Sequence, residues 1–109
     1  MTDFELETWI IEVGSSVVEK KSASEGETLT PLETLIYCVW VADYSMRNAG
    51  DLETAADVHA DFQREAAVLA ASLGLVQTRA AFELTSARLE ERYFDLLGAI
   101  VAELSGAAT

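Results

Sequence analysis

Hydrophobic residues recur along this chain with the period of an α-helix. From Asp3 to Lys20 they follow an i, i+4, i+7, i+11 pattern through Leu6, Ile10, Val13 and Val17. A second apolar stripe runs through Phe4, Ile11 and Val18. Two apolar stripes predict a first helix that packs against two neighbouring helices.

The clearest helix start is the segment Thr30-Pro31-Leu32-Glu33. Thr suits the N-cap, Pro suits the first helical position, and Glu three residues after the cap completes a capping box. Residues 35–46 are apolar on nearly every face, which is typical of a buried helix. The pattern predicts a buried central helix over about 31–48 that ends in the turn Asn48-Ala49-Gly50.

Two longer segments complete the predicted fold. An apolar stripe spaced alternately by three and four residues predicts a third helix from about Asp51 to Leu73. Residues 78–104 carry an apolar face, but either Thr85 or Ser86 could cap a new helix there, so one helix or two are both compatible with the pattern. The sequence predicts an all-α protein: a single helical domain, 1–109, built as a bundle of four to five antiparallel helices.

Composition narrows the possible partners. The 109 residues are 50% hydrophobic, which excludes a disordered acidic tail, and carry a net charge of -12. Such a surface repels phosphates and anionic lipids, so we expect no direct nucleic-acid binding and no membrane binding, and basic proteins are the natural partners. The lone Cys38, the acidic N-terminus and the lack of a long apolar run predict a cytoplasmic protein.

The negative charge is concentrated in one part of the chain. Residues 1–61 hold 13 acidic and 3 basic residues, whereas residues 62–109 hold 6 and 4. In the predicted third helix, acids recur every four residues at Glu53, Asp57, Asp61 and Glu65, which we call the acidic row. On one continuous helix they would lie about 6 Å apart, a spacing similar to that of nucleic-acid phosphates. Like charges so placed cost a few tenths of a kcal/mol per pair.

Two interpretations of the acidic row follow. It either presents carboxylates in place of phosphates to a DNA-binding partner, or it only keeps the protein soluble. In the first case Asp51 extends the surface, and a second row on the first helix joins it if the first and third helices lie side by side. The members of that second row are Glu5, Glu12 and Glu19.

Other reactive side chains favour no enzymatic chemistry. His59 is the sole histidine and lies on an apolar stripe, so we interpret it as a core residue. Zinc proteases and di-iron bundles need further histidines. Cys38 lies among apolar neighbours and is interpreted as a small core residue. No phosphate-binding glycine loop or nucleophile elbow occurs. We expect no catalytic residue, metal site or cofactor.

Asp43 and Arg47 form an i, i+4 pair within the most apolar helix, beside Trp40. They are either a structural ion pair that fixes the docking of the second helix or part of a small-ligand pocket with an aromatic wall. Apolar side chains outside the main stripes, among them Trp9 and Leu84, exceed what a four-helix core needs. That excess indicates either that more helices pack around the second helix or that part of this surface is a self-association interface, and we expect a homodimer.

The segment Leu29 to Leu52 resembles part of a family of small, acidic, helical bacterial proteins that includes the DNA-mimic proteins. The matching residues are Thr30, Pro31, Trp40, Asp43, Asn48 and Gly50. Ala49 stands where the family usually has Gly, and Asp51-Leu52-Glu53 replaces its aromatic run. The resemblance implies an all-helical acidic protein, often dimeric, that binds a DNA-binding protein at its DNA site.

The function expected from the sequence is therefore that of a non-enzymatic acidic protein-binding module, most concretely a DNA mimic. The alternative from a different class is a structural or regulatory homodimer whose acidic face gives only solubility. A third is a small-ligand pocket near Asp43, Arg47 and Trp40.

Overall fold

A computed structural model describes residues 2–23 and 29–108 of the chain. These residues form six helices and no strand, so the all-α prediction is confirmed. The helices are α1 (Asp3–Ala23), α2 (Pro31–Ala49), α3 (Glu53–Val58), α4 (Phe62–Leu73), α5 (Val76–Phe82) and α6 (Ser86–Ala107). They form one globule with a radius of gyration of 12.7 Å, close to the roughly 13 Å of a compact domain of about this length.

The predicted capping box starts α2. The Thr30 hydroxyl accepts a hydrogen bond from the backbone N–H of Glu33, and the Glu33 carboxylate accepts one from the backbone N–H of Thr30. Lys20 of α1 also donates to Glu33, with Nζ 3.0 Å from Oε1. The Thr30 backbone hydrogen bond, followed by Lys20, lowers the pKa of Glu33. The cap therefore also joins α1 to α2.

Helix α2 carries buried side chains along most of its length and packs against α1, α3, α4 and α6. The Trp40 indole lies directly on α1 at Gly14, where an added Cβ would overlap the ring. Gly50 ends α2 in the left-handed conformation, with φ 74°, as the sequence predicted. The buried Ser45 hydroxyl donates to the Asp51 carbonyl and accepts from the Ala55 N–H, which fixes α3 against the end of α2.

The predicted continuous third helix is wrong. The chain breaks at His59, whose backbone is extended with φ -147° and ψ 91°, and α4 begins at Phe62. The break lets each short helix bury its own apolar residues, Ala55 from α3 and both Phe62 and Ala66 from α4. A consequence is that the acidic row does not lie on one helix.

The C-terminal segment is two helices, and Thr85 caps the second by accepting from the Arg88 N–H. The preceding α5 is capped across the fold, since the Glu103 carboxylate of α6 accepts from the Gln77 and Thr78 N–H groups. The break before Thr85 gives the larger predicted number of five helices, and the unpredicted break at His59 adds the sixth.

Candidate functional site

Three members of the acidic row remain on the surface and the fourth turns away. Glu53 and Asp57 lie one turn apart on α3, and Asp61 directly precedes α4; all three are exposed. Glu65 is 35% exposed at its side chain, and its Oε2 lies 3.3 Å from His59 Nε2. The break at His59 thus shortens the row to Glu53, Asp57 and Asp61, which we call the α3 acidic face.

The α3 acidic face borders a cleft of about 340 Å³ between α3, α4 and α6. Glu53 and Asp61 line it together with Glu90 from α6, and Arg64 is the one basic residue among its lining residues. Glu90 was not a sequence candidate, because nothing in the local pattern shows that the start of α6 comes back to α3. The cleft therefore gathers three carboxylates from three parts of the chain.

The α3 acidic face has little compensation from nearby cations. None of the five ion pairs found among the described residues includes Glu53, Asp57 or Asp61. The Asp51 carboxylate is partly buried and accepts a hydrogen bond from the Glu53 N–H. Asp51, which precedes the N-cap residue Leu52, thus satisfies the first N–H of α3, and its negative charge lies at the favourable end of the helix dipole.

The predicted second row lies elsewhere on the molecule. Glu5, Glu12 and Glu19 are exposed on α1. Helix α1 packs against α2 and α6, whereas α3 packs against α2. The two rows would join only if α1 and α3 packed side by side, and the main helix contacts do not include that pair. Glu5 and Glu12 instead border a shallow groove of about 250 Å³ beside Phe4 and Trp9.

Asp43 is the buried centre of a polar network. Its side chain is 3% exposed; Oδ1 accepts a 2.6 Å hydrogen bond from the Tyr93 hydroxyl, and Oδ2 accepts a 2.8 Å bond from Arg47 Nε. Arg47 also lies 3.7 Å from Glu7 and stands over the Phe94 ring. Burial, followed by the nearby Asp43 charge, raises the pKa of Tyr93 well above its usual value.

This network joins α2 to α6, as expected for a structural ion pair. The cleft beside Asp43, Arg47 and Trp40 has a volume of about 180 Å³, below the roughly 300–1,000 Å³ of ordinary ligand pockets. Trp40 fills much of the neighbouring space, since it packs on Gly14 and stacks with Tyr44 at 5.7 Å. The geometry thus favours the structural interpretation of Asp43 and Arg47 over the ligand pocket.

Three side chains to which the sequence assigned separate roles come together between α2 and α4. They are Cys38, His59 and Glu65, and one potential ligand atom from each lies within 4.8 Å of the others. Cys38 Sγ is 3.6 Å from Glu65 Oε1. The His59 Nε2 atom is buried and, among the described residues, makes no hydrogen bond, because the nearby Glu65 oxygen lacks hydrogen-bond geometry.

The Cys38 thiol is protonated in this environment. Burial, followed by the charge of Glu65 and the hydrogen bond to it, raises the pKa of Cys38 from 9.0 to about 12. A thiol held in this state is a poor nucleophile. The Tyr37 ring packs edge-on against His59 at 5.7 Å and covers one side of the group.

Comparison with known proteins found no matching family model, no matching curated protein and no matching solved structure. Among the described helices, none combines the length and the apolar character that crossing a membrane requires. Assignment of a function therefore depends on the surface and on the side-chain groups described above.

Proposed function

We propose that this protein is a non-enzymatic acidic protein-binding module whose α3 acidic face binds the basic surface of a partner. The observation that carries the proposal is the exposure of Glu53, Asp57 and Asp61 without an ion pair among the described residues. Uncompensated like charges cost stability, and binding to a basic partner removes that cost.

A DNA-binding protein is the most specific partner class that we propose. Glu53 and Asp57, one helical turn apart on α3, are spaced similarly to phosphates, and Asp61 adds a third carboxylate beside the cleft. In this arrangement α2 would be the central helix of an antiparallel bundle that holds α3 in place through Ser45. The Glu5, Glu12 and Glu19 row would contribute to the long-range field that steers association.

The test compares two double variants that remove the same charge. Glu53→Gln with Asp57→Asn alters the α3 acidic face, whereas Glu91→Gln with Asp95→Asn alters exposed acids of the same types and spacing on α6. Each form of the protein is used to capture partners from a lysate at low salt. The captured proteins are then tested for whether adding the acidic protein reduces their binding to DNA. The proposal expects capture by the wild type and the α6 double variant, loss with the α3 double variant, and weakening by salt.

Equal capture by both double variants would show that only net charge matters, which favours the solubility interpretation. Capture of no DNA-binding protein at low salt would contradict the DNA-mimic assignment.

A self-associating form is the second candidate, since three large apolar side chains are exposed close to one another. Ile11, Tyr44 and Phe94 are 44%, 49% and 53% exposed and surround Arg47. We propose this surface as the contact of a homodimer. Sedimentation of the wild type and of Phe94→Ser over a range of concentrations tests it. A concentration-independent monomer would exclude the dimer.

A further inference from the structure

The potential ligand atoms of Cys38, His59 and Glu65 are nearly as close to one another as the ligand atoms of a metal site. An ion bound tetrahedrally, at about 2.0–2.1 Å from nitrogen and oxygen and about 2.3 Å from sulfur, requires ligand atoms about 3.3–3.6 Å apart. The His59 Nε2 to Glu65 Oε2 separation is 3.3 Å and the Cys38 Sγ to Glu65 Oε1 separation is 3.6 Å. These two distances involve different oxygens of the Glu65 carboxylate. With one ligand atom taken from each residue, no separation exceeds 4.8 Å, so side-chain movements of about 1–1.5 Å bring the three atoms to tetrahedral spacing.

We propose that Cys38, His59 and Glu65 bind one divalent transition-metal ion of the zinc type. The protein ligands are a thiolate sulfur, an imidazole nitrogen and a carboxylate oxygen, and the fourth position is open to water. Binding replaces the thiol proton of Cys38 by the metal and releases that proton to solvent. The proposal is independent of the partner-binding function.

The donor set selects this class of ion. Sulfur and imidazole nitrogen are ligands of zinc and its neighbours, whereas calcium and magnesium take oxygen ligands. Two of the three donors, Cys38 and Glu65, are negative when they bind, so a divalent ion neutralises both.

An unpartnered buried atom provides a second, separate reason. Buried side-chain nitrogen atoms nearly always have a hydrogen-bond partner, because a buried polar atom without one destabilises the fold. His59 Nε2 is buried and, within the described part of the chain, lacks a hydrogen bond, although Glu65 lies beside it. A metal ion between the two side chains satisfies this nitrogen directly.

The chain break forms the site, and Glu65 is its most exposed member. On a continuous helix, His59 and Glu65 would point about 120° apart and lie about 9 Å apart along the axis. The extended backbone at His59 instead brings both side chains to Cys38 on α2. Glu65 also lines a surface cleft of about 270 Å³, so the carboxylate side of the group borders solvent.

The decisive experiment is a cobalt titration of the reduced, chelator-treated full-length protein. Excess magnesium and moderate salt are included to occupy exposed carboxylates. We expect saturation at one equivalent, a thiolate-to-cobalt charge-transfer band, the intense visible bands of tetrahedral cobalt, and displacement by zinc. Cys38→Ser, His59→Gln and Glu65→Gln should each weaken binding at least about tenfold, while Glu91→Gln, which removes the same charge from α6, should bind as the wild type does.

X-ray absorption of the zinc-loaded wild type keeps the test independent of variant folding. It should show one sulfur at about 2.3 Å and the remaining ligands, nitrogen or oxygen, at about 2.0 Å. A zinc shell without sulfur, the absence of saturable cobalt binding, or folded ligand variants that bind as tightly as Glu91→Gln would each overturn the proposal.

Discussion

The hydrogen bond between Tyr93 and Asp43 makes the sharpest prediction about stability. Tyr93→Phe removes one hydroxyl from a fully buried ring and leaves Asp43 Oδ1 without its donor, while Arg47 still holds Oδ2. A hydrogen bond to a charged group contributes about 1.5–3 kcal/mol. We therefore expect the free energy of unfolding to fall by about 2 kcal/mol.

Urea denaturation followed by circular dichroism measures this loss. With a urea m-value of about 2 kcal/mol/M, the midpoint should fall by about 1 M with m unchanged, and Tm should fall by roughly 10 °C. The matched control is Tyr44→Phe, because Tyr44 is 49% exposed and its hydroxyl makes no hydrogen bond within the described residues. The control should change stability by less than about 0.5 kcal/mol. Equal effects of the two substitutions would refute the reasoning.

The same pair has a pH signature. Because the folded-state pKa of Tyr93 is raised above the usual 10.0, the folded protein holds the hydroxyl proton more tightly than the unfolded chain does. The corresponding stability is fully present below about pH 10 and is lost as pH rises above it. The difference in unfolding free energy between wild type and Tyr93→Phe should consequently shrink as the pH rises above about 10. A constant difference would contradict the pKa shift.

Three further predictions concern caps, close packing and thiol reactivity. Thr30→Ala should cost about 1 kcal/mol in urea unfolding, since it removes half of the capping box, and no loss would contradict the role of the cap. Gly14→Ala should destabilise by about 1–3 kcal/mol through overlap with Trp40, whereas Gly98→Ala, where an added Cβ meets its nearest neighbour at 3.7 Å, should be neutral or stabilising. In the presence of a chelator, iodoacetamide should label Cys38 at least about a hundredfold more slowly in the folded protein than in urea, because burial and a pKa of about 12 suppress the thiolate. Equal labelling rates would contradict the burial of the thiol.

Local chemistry made parts of the fold predictable. The capping box at Thr30 and Glu33, the glycine end at Gly50 and a cap at Thr85 each depend on residues within four positions of one another. Such short-range signals appear in the sequence because the hydrogen bonds that they form are local. The all-helical prediction likewise followed from apolar periodicity.

The break at His59 was not predictable because no Gly or Pro marks it and the apolar stripe continues across it. Asp61, a residue type favoured at helix starts, is the only local signal, and its side chain makes no capping hydrogen bond. The break arises from packing of α3 and α4 against α2. The group of Cys38, His59 and Glu65 could not be predicted for the same reason. Cys38 and Glu65 are separated by 27 positions in the sequence and come together only because the chain turns at His59.

The order of α5 depends on α6, because the Glu103 side chain of α6 caps the start of α5. Helix α5 has seven residues, too few to persist alone in water, and its first N–H groups are satisfied by a carboxylate 25 and 26 positions away. When the end of α6 opens, α5 should lose its order in the same event. We therefore expect the amide hydrogens of Gln77 and Thr78 to exchange together with those of the C-terminal turns of α6.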